Sequence, residues 1–363
     1  MTNAVNLANA APSLNGSSGN LTVTGTMVAG SSYAWRNAII NGDMRIWQRG
    51  TSAAGSYPTY LADRWMNYRA VAGSTFSRQT FNDATNVPGI QTCQRIQRDS
   101  GNTSTTAIYI SQSVETLNSI PFVGQSVTLS FYARAGANFS AASGNMTFEI
   151  VSGTGTDQNV IAGFTGQTNV AAGTRTLTTT WQRFTATGTV SSSATQLAVN
   201  LYYIPVGTAG AADFMEITGV QLEVGTVATP FERRDYGREL IMCQRYFQKS
   251  YPVGNAPGNT DGAGLVGGTA MNNGANNIGN NGMPVAFRVN MRAATTITIY
   301  APYSGTAGSM AVAKGGTPRA DYVASVANAS ETGFVISSSA SGSGGTAGTA
   351  TELLFQYTAS AEL

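Results

Sequence analysis

The chain has 363 residues, long enough for two or three domains, and 42% of them are hydrophobic, so it can bury real cores. Only 10% are charged, against about 25% in an ordinary globular chain, while 42 are Gly and none is His. Without His the usual general base and the usual neutral metal ligand near pH 7 are missing, which turns the reading from a catalyst towards a β-structured scaffold or binding module. The net charge of +2, from 20 basic and 18 acidic residues, gives no footprint for a nucleic-acid backbone.

In chain order, residues 1–34 are rich in Asn, Ala, Gly, Ser and Thr. One alternating run, Leu21 to Thr24, predicts a strand. So polar a segment cannot bury enough surface to fold alone, and is expected to need the next domain, another copy or a larger particle; disorder is the alternative. From Trp35 the composition changes, and Asn41-Gly42 signals a turn between two apolar runs. Strand signatures come next at 106–114, 125–135, 144–153, 181–190, 195–206 and 213–225. Val127, Leu129 and Phe131 alternate there with Thr128, Ser130 and Tyr132, the two-residue period of a half-buried strand. Many short strands separated by Gly, Ser, Asn and Thr turns predict an all-β jelly-roll sandwich over 35–235. Leu240, Cys243 and Phe247 are spaced for one stripe of a short helix within 236–250, linking the sandwich to the next domain. A Gly- and Asn-rich stretch at 253–282 reads as loop. Strands resume at 283–291, 295–303, 333–339 and 351–360, predicting a second, smaller β-domain over 251–363. The string GTAG at 207–210, 305–308 and 345–348 is turn chemistry at unequal spacing, not a solenoid repeat.

No stretch of about 20 apolar residues predicts membrane insertion. The start of the chain lacks the basic leader and apolar core of a signal peptide, so synthesis and assembly in a cytoplasm are expected. Cys93 and Cys243 are too few for a disulfide framework and are expected to be free and buried.

Asp63-Arg64-Trp65 is the sharpest small constellation. It reads as a sugar subsite or, more simply, as an ion pair pinning an edge of the sandwich with Trp65 in the core; on a strand Asp63 and Trp65 would share one face and Arg64 the other. Trp35, Trp47 and Trp181 are core candidates first and ligand platforms second. Glycan hydrolysis needs two carboxyls about 5–10 Å apart; Asp63, Glu149, Asp213, Glu216, Glu223 and Glu232 are available, and no spacing favours a pair. Ser and Cys triads lack their His, and no phosphate loop, zinc cluster or calcium loop is present. No cofactor and no metal are therefore expected, with a calcium ion held by Asp and loop carbonyls left open. Of the 20 cations only Lys249 and Lys314 are lysines. Arginine suits buried or interface pairs, so Glu232-Arg233-Arg234-Asp235 reads as a junction where surfaces lock, with solvated charge as the alternative. Tyr gives a rigid ring with a polar tip; Tyr202, Tyr203, Tyr251, Tyr300, Tyr303 and Tyr322 are glycan-platform candidates, and of the adjacent Tyr202 and Tyr203 only one can face a core.

Several blocks resemble a family of bacteriophage tail-fibre or related virion proteins that is itself similar to carbohydrate-binding jelly-roll modules: NAIINGDMRIWQRG (37–50), YLADRWMNYR (60–69), FYARA (131–135), WQRF (181–184) and, most specific, ITGVQLEVGTVATPFERRDYGRELIMCQRYFQKSY (217–251). FRVNMRAATTITIY (287–300) and FQYTASAEL (355–363) resemble the distal region often found in that family. The resemblance implies a tail-fibre or spike component of the virion, homotrimeric and meeting a host-surface glycan, with residues 1–34 attaching to other tail or baseplate proteins. It implies structural roles for Trp47, Asp63, Arg64, Trp65, Glu232 and Arg233, and leaves Tyr251, Tyr300, Tyr303 and Tyr322 as the distal glycan candidates. A purely architectural virion component and a polysaccharide depolymerase are the alternatives.

Overall fold

Side chains alternating between an apolar layer and water dictate sheets, and sheets are what the chain forms. The computed structural model describes residues 14–17, 20–23, 36–55, 58–271, 278–314, 319–338 and 350–363. Two compact units are present. In the first, residues 1–36, β1 (Leu14–Ser17) pairs antiparallel with β2 (Asn20–Val23). Trp35 lies outside the described residues.

The second unit, residues 37–363, begins with two antiparallel six-stranded sheets. One contains β4 (Thr59–Tyr60), β5 (Met66–Tyr68), β8 (Ile108–Val114), β10 (Asn145–Gly153), β11 (Thr168–Thr176) and β13 (Gln196–Tyr203), in the order β11-β10-β13-β8-β5-β4. The other contains β3 (Ser52–Ala54), β6 (Ser74–Thr80), β7 (Thr92–Arg98), β9 (Ser126–Ala135), β12 (Gln182–Thr189) and β14 (Phe214–Val224), in the order β12-β9-β14-β7-β6-β3. Their inner faces meet in one apolar core that includes Trp65, Phe76, Phe131, Phe148, Val199, Leu201, Tyr203, Ile217 and Leu222. Six of these strands match the expected runs. β6, β7 and β11 were not expected, because Ser, Gln, Thr and Gly blur their alternation.

An eight-stranded third sheet completes the all-β architecture. It comprises β15 (Phe247–Lys249), β16 (Val266–Met271), β17 (Ile278–Ala286), β18 (Thr296–Tyr300), β19 (Ser309–Lys314), β20 (Ala320–Ala327), β21 (Gly333–Ser338) and β22 (Ala350–Ser360). Its separate core gathers Met291, Ile299, Met310, Val312, Phe334, Ile336, Leu353 and Phe355. β16 and the start of β17 fall within the stretch read as loop. Their glycines hide the strand because they pack without side chains: a Cβ at Gly267 or Gly268 would strike Leu354 or Met283. The expected strand over 283–291 stops at Ala286.

A nine-residue helix α2 (Tyr236–Gln244) comes after the four-residue α1 (Thr116–Ser119). Asp235 caps α2 by accepting from Gly237 N (2.9 Å) and Arg238 N (3.3 Å). Phe247, expected on the helical stripe, lies instead in β15, because the chain turns at Arg245 and pairs Phe247 with Ser360. Cys243 stays buried with Ile40, Ile46 and Tyr246. Both cysteines are free and buried.

The segment 37–50 ties the helix, the sandwich and the third sheet together. Asn41-Gly42 lies in the expected turn, at residues 40–43. Asn41 takes a left-handed φ of 56°, its Oδ1 accepts from Arg45 N (3.0 Å) and Ile46 N (3.1 Å), and its Nδ2 donates to Ile46 O and Asp63 O. A Cβ at Gly42 would lie 2.2 Å from Val220 O, so only glycine fits. Across the junction Gln48 donates to Asp63 and to Phe247 O, and Lys249 Nζ donates to Gln48 O, Val253 O and Asn255 O. Arg64 reaches Glu362 and Ser113 O, with its guanidinium 3.6 Å from the centre of the Tyr246 ring.

Burial pushes Asp63 up to about 6 and Lys249 down to about 8. Below pH 3.8 Asp63 is protonated in both folded and unfolded chains; between 3.8 and about 6 only the folded chain keeps the proton, so the contribution of Asp63 to stability falls as pH rises through that window. Between about 8 and 10.5 the unfolded chain alone holds the Lys249 proton, so stability rises there. In urea titrations, the stability difference between wild type and Asp63→Asn should shrink from pH 4 to 6, and that between wild type and Lys249→Met should grow from pH 8 upward.

Candidate functional site

The outer face of the first sheet carries a row of tyrosines across three strands. In β13, Leu197, Val199, Leu201 and Tyr203 point into the core, so Asn200 and Tyr202 take the opposite face. Register then builds the row: Tyr202 pairs with Tyr109 of β8, Tyr109 with Tyr68 of β5, and Tyr202 on its other side with Thr147 of β10. The Tyr109 and Tyr202 rings stack with centroids 4.4 Å apart, and Tyr68 and Tyr109 sit 6.2 Å apart. All three are half-buried. They form a partly stacked row of half-exposed rings.

The next row brings Glu149, Asn200 and Ser111 together. Glu149 Oε1 accepts from the Tyr202 hydroxyl at 3.1 Å and Oε2 from Asn200 Nδ2 at 2.9 Å. Each oxygen keeps a further lone-pair site. In the floor, Asn200 Oδ1 and Ser111 Oγ are buried without a hydrogen-bond partner. Burial first, and the Glu149 charge second, push Tyr202 up to about 12 and move Tyr109 in the same direction. Past Ala198 the face closes under Val160 and Phe164, and near Met66 Asn159 Nδ2 donates to Leu363 O at 2.8 Å.

The outer face of the second sheet is built differently. Glu216 is fully buried between two arginines: Arg95 binds its Oε1 through Nε (2.8 Å) and Nη2 (2.6 Å), and Arg134 Nε binds Oε2 at 2.6 Å. The arginines lie over Phe214 and Trp181. Asp213 is likewise paired, with the buried Arg98 at 3.0 Å. Glu223 accepts from Thr229 N and Oγ1 and from Gln221.

Asp63, Arg64 and Trp65 are all buried, at 1%, 2% and 0% exposure. The strand-like alternation expected for them does not apply, because Asp63 and Arg64 form a turn in which Arg64 takes a φ of 72°. Trp65 donates to Asn41 O (2.9 Å) and Trp47 to Met44 O (2.6 Å). Trp181 packs on Phe81, 4.8 Å between centroids. Around α2, Glu232 accepts from Asn37 N, Arg233 donates to Gly89 O, and buried Arg234 reaches Asn37 O and Ile39 O. The acid–base string thus locks two parts of one chain.

Of the distal tyrosines, Tyr251 is buried and accepts from Gly258 N through its hydroxyl. It presents no face to a sugar and instead supports half-buried Tyr300, 6.1 Å away and edge-on. Tyr303 is exposed, with Arg319 over its ring at 5.5 Å. Tyr322 lies on β20 opposite Met310. A cavity of about 390 Å³ lies elsewhere on the third sheet, lined by Leu265, Met283, Arg288 and Tyr357 among others. A second of about 350 Å³ lies between Asp43, Arg45 and Arg233. Among the described residues no group of three or more Cys, Asp or Glu is placed to hold a metal ion, and no helix is long and apolar enough to cross a membrane.

Tyr202 was a sequence candidate, and Tyr203 is the one of the pair that faces the core. Tyr68, Tyr109, Glu149 and Asn200 were not read as a group. The local signal for Tyr109 was its position between Ile108 and Ile110, the alternation that sends it outward.

No protein-family model matches the sequence, and no curated protein matches it. Among solved structures the chain is similar to the enzymatically active domain of bacteriophage CBA120 tailspike protein 4, at 13% identity and a TM-score of 0.32, covering 52% of this chain and 21% of that one. It is also similar to a CBM4 structure at 19% identity and a TM-score of 0.27, covering 42% of this chain and 87% of that one. A third is TmCBM61 in complex with beta-1,4-galactotriose, at 14% identity and a TM-score of 0.31, covering 52% of this chain and 99% of that one.

Because Glu149 is the second cause of the Tyr202 shift, Glu149→Gln should lower that phenol from about 12 part of the way towards its ordinary 10. Ultraviolet titration of phenolate absorbance against a Tyr202→Phe control checks this.

Proposed function

We propose that this protein is a non-catalytic carbohydrate-binding component of a phage tail fibre, and that it holds sugar on the face formed by Tyr68, Tyr109 and Tyr202. The observation that carries the binding reading is the row of half-exposed rings beside a carboxylate already oriented by Tyr202 and Asn200. Sugar rings offer a C–H face to an aromatic ring and hydroxyls around the rim, so a half-exposed phenol row with an acceptor next to it meets both needs. Glycan hydrolysis requires a second carboxyl. The positions flanking Glu149 in its row are Ala172, Asn200, Ser111 and Met66, and Asp213 and Glu216 are held by arginines elsewhere. That placement supports binding over depolymerisation.

The tail-fibre part of the proposal rests on the blocks at 37–50 and 217–251, and with it go a homotrimer, a virion location, assembly in the host cytoplasm and attachment through residues 1–34. Three copies would present three tyrosine faces, and multivalency raises apparent affinity by roughly 10²–10⁴ without new contacts.

Two measurements test this. In affinity electrophoresis through gels cast with host-surface polysaccharide, wild type should be retarded, and Tyr109→Ala should weaken binding by about 30-fold, as expected for an aromatic anchor worth about 2 kcal/mol. Retardation unaffected by Tyr109→Ala moves the site off this face. Sedimentation equilibrium should return three times the chain mass of 37.7 kDa; a monomer at micromolar concentration removes the trimer.

A further inference from the structure

Among the described residues in the two tyrosine-bearing rows, Glu149 is the one carboxylate. Along the two open rows, the outward positions are Thr174, Thr147, Tyr202, Tyr109 and Tyr68 in the first, and Ala172, Glu149, Asn200, Ser111, Met66 and Tyr60 in the second; at the far end Arg49 lies over the Tyr60 ring and is held by Glu362. Neither row holds a Lys or Arg. Arg175, on the edge strand, lies over the Phe148 ring and donates to Thr174 O and Thr185 O. Arg64, at the closed end, is buried and spent on Glu362 and Ser113 O. The partners of Glu149 are neutral, a phenol and an amide. It is therefore unlike Glu216 on the opposite face, whose charge two guanidinium groups offset.

We infer that Glu149 makes this face a charge filter, admitting neutral and ammonium-bearing sugars and rejecting acidic ones. The inference rests on the carbohydrate reading of the tyrosine face and adds the substrate class. The free lone pairs of Glu149 accept sugar hydroxyl or ammonium protons, and they repel a uronate or sialate carboxylate held beside them. The face is half-exposed, so salt screens the filter.

The substitution that isolates the charge is Glu149→Gln. Its new Nε2 would oppose Asn200 Nδ2, but the Asn200 amide can turn over and present Oδ1, which now has no partner. The hydrogen-bonded floor survives without the charge.

The full chain, Glu149→Gln and Tyr109→Ala are applied to a printed array of neutral, amino-bearing and uronic-acid oligosaccharides on matched backbones, at low salt and at 0.5 M salt (about a 4 Å screening length). Wild type should bind Tyr109-dependent neutral and amino-bearing members about fivefold or more above their uronic counterparts. Glu149→Gln should bring that ratio close to one, and high salt should reduce it in wild type alone. If no array member shows Tyr109-dependent signal, the carbohydrate reading fails and takes the filter with it. If Tyr109-dependent signal is as strong on uronic members, or if Glu149→Gln leaves the ratio unchanged, the filter alone is overturned.

Discussion

The structure hangs from the side chain of Asn41. Its amide closes its own turn and holds the backbone at Asp63, while the backbone N–H of Asn41 donates to Glu239 of the helix. Remove that knot and four separate segments lose their reference point: the entry strand-like stretch at 37–40, the turn bearing Arg64, the helix and, through Gln48 and Lys249, the first strand of the third sheet. A left-handed Asn, with a short polar side chain able to bond its own backbone, is the residue that tolerates this geometry. The neighbouring Gly42 is required for a related reason, since Val220 O occupies the space of its missing Cβ.

The sandwich has two outer faces with opposite chemistry. On the second sheet Glu216 is matched by cations: Arg95 and Arg134 grip it while lying over aromatic rings, so these polar groups and rings are consumed by one another. On the first sheet Tyr68, Tyr109 and Tyr202 pack on one another and the Glu149 carboxylate accepts from neutral donors. A buried carboxylate without a cation is costly, so Glu149 is tolerated because its place is half-exposed. A face whose polar groups are oriented yet unspent is already arranged for an outside partner, which lowers the ordering cost of binding.

Strand periodicity made the sandwich legible. The apolar alternation in β9, β13 and β14 is long and clean, and those strands lie at the centre of their sheets. The edge strand β11 and the glycine strand β16 were illegible because their side chains are small or polar on both sides. The helix was visible in Leu240 and Cys243, but its end was not, since the turn at Arg245 is set by pairing of Phe247 with a residue over a hundred positions away. The tyrosine row failed to show for the same reason. Tyr68, Tyr109 and Tyr202 are neighbours only through register between strands far apart in sequence, and no local pattern encodes register. The buried charges misled most: Asp63 and Arg64 sit in a turn where a two-residue period has no meaning.

β22 has a consequence for how the molecule comes into being. It pairs with β15, β16, β18 and β19, all of which precede it in the chain. On a ribosome the sandwich can close while these four wait with unmet backbone groups, so this half matures late and with high contact order. The interval before residues 350–360 emerge is the moment when the nascent polypeptide is most exposed to mispairing with a sister molecule.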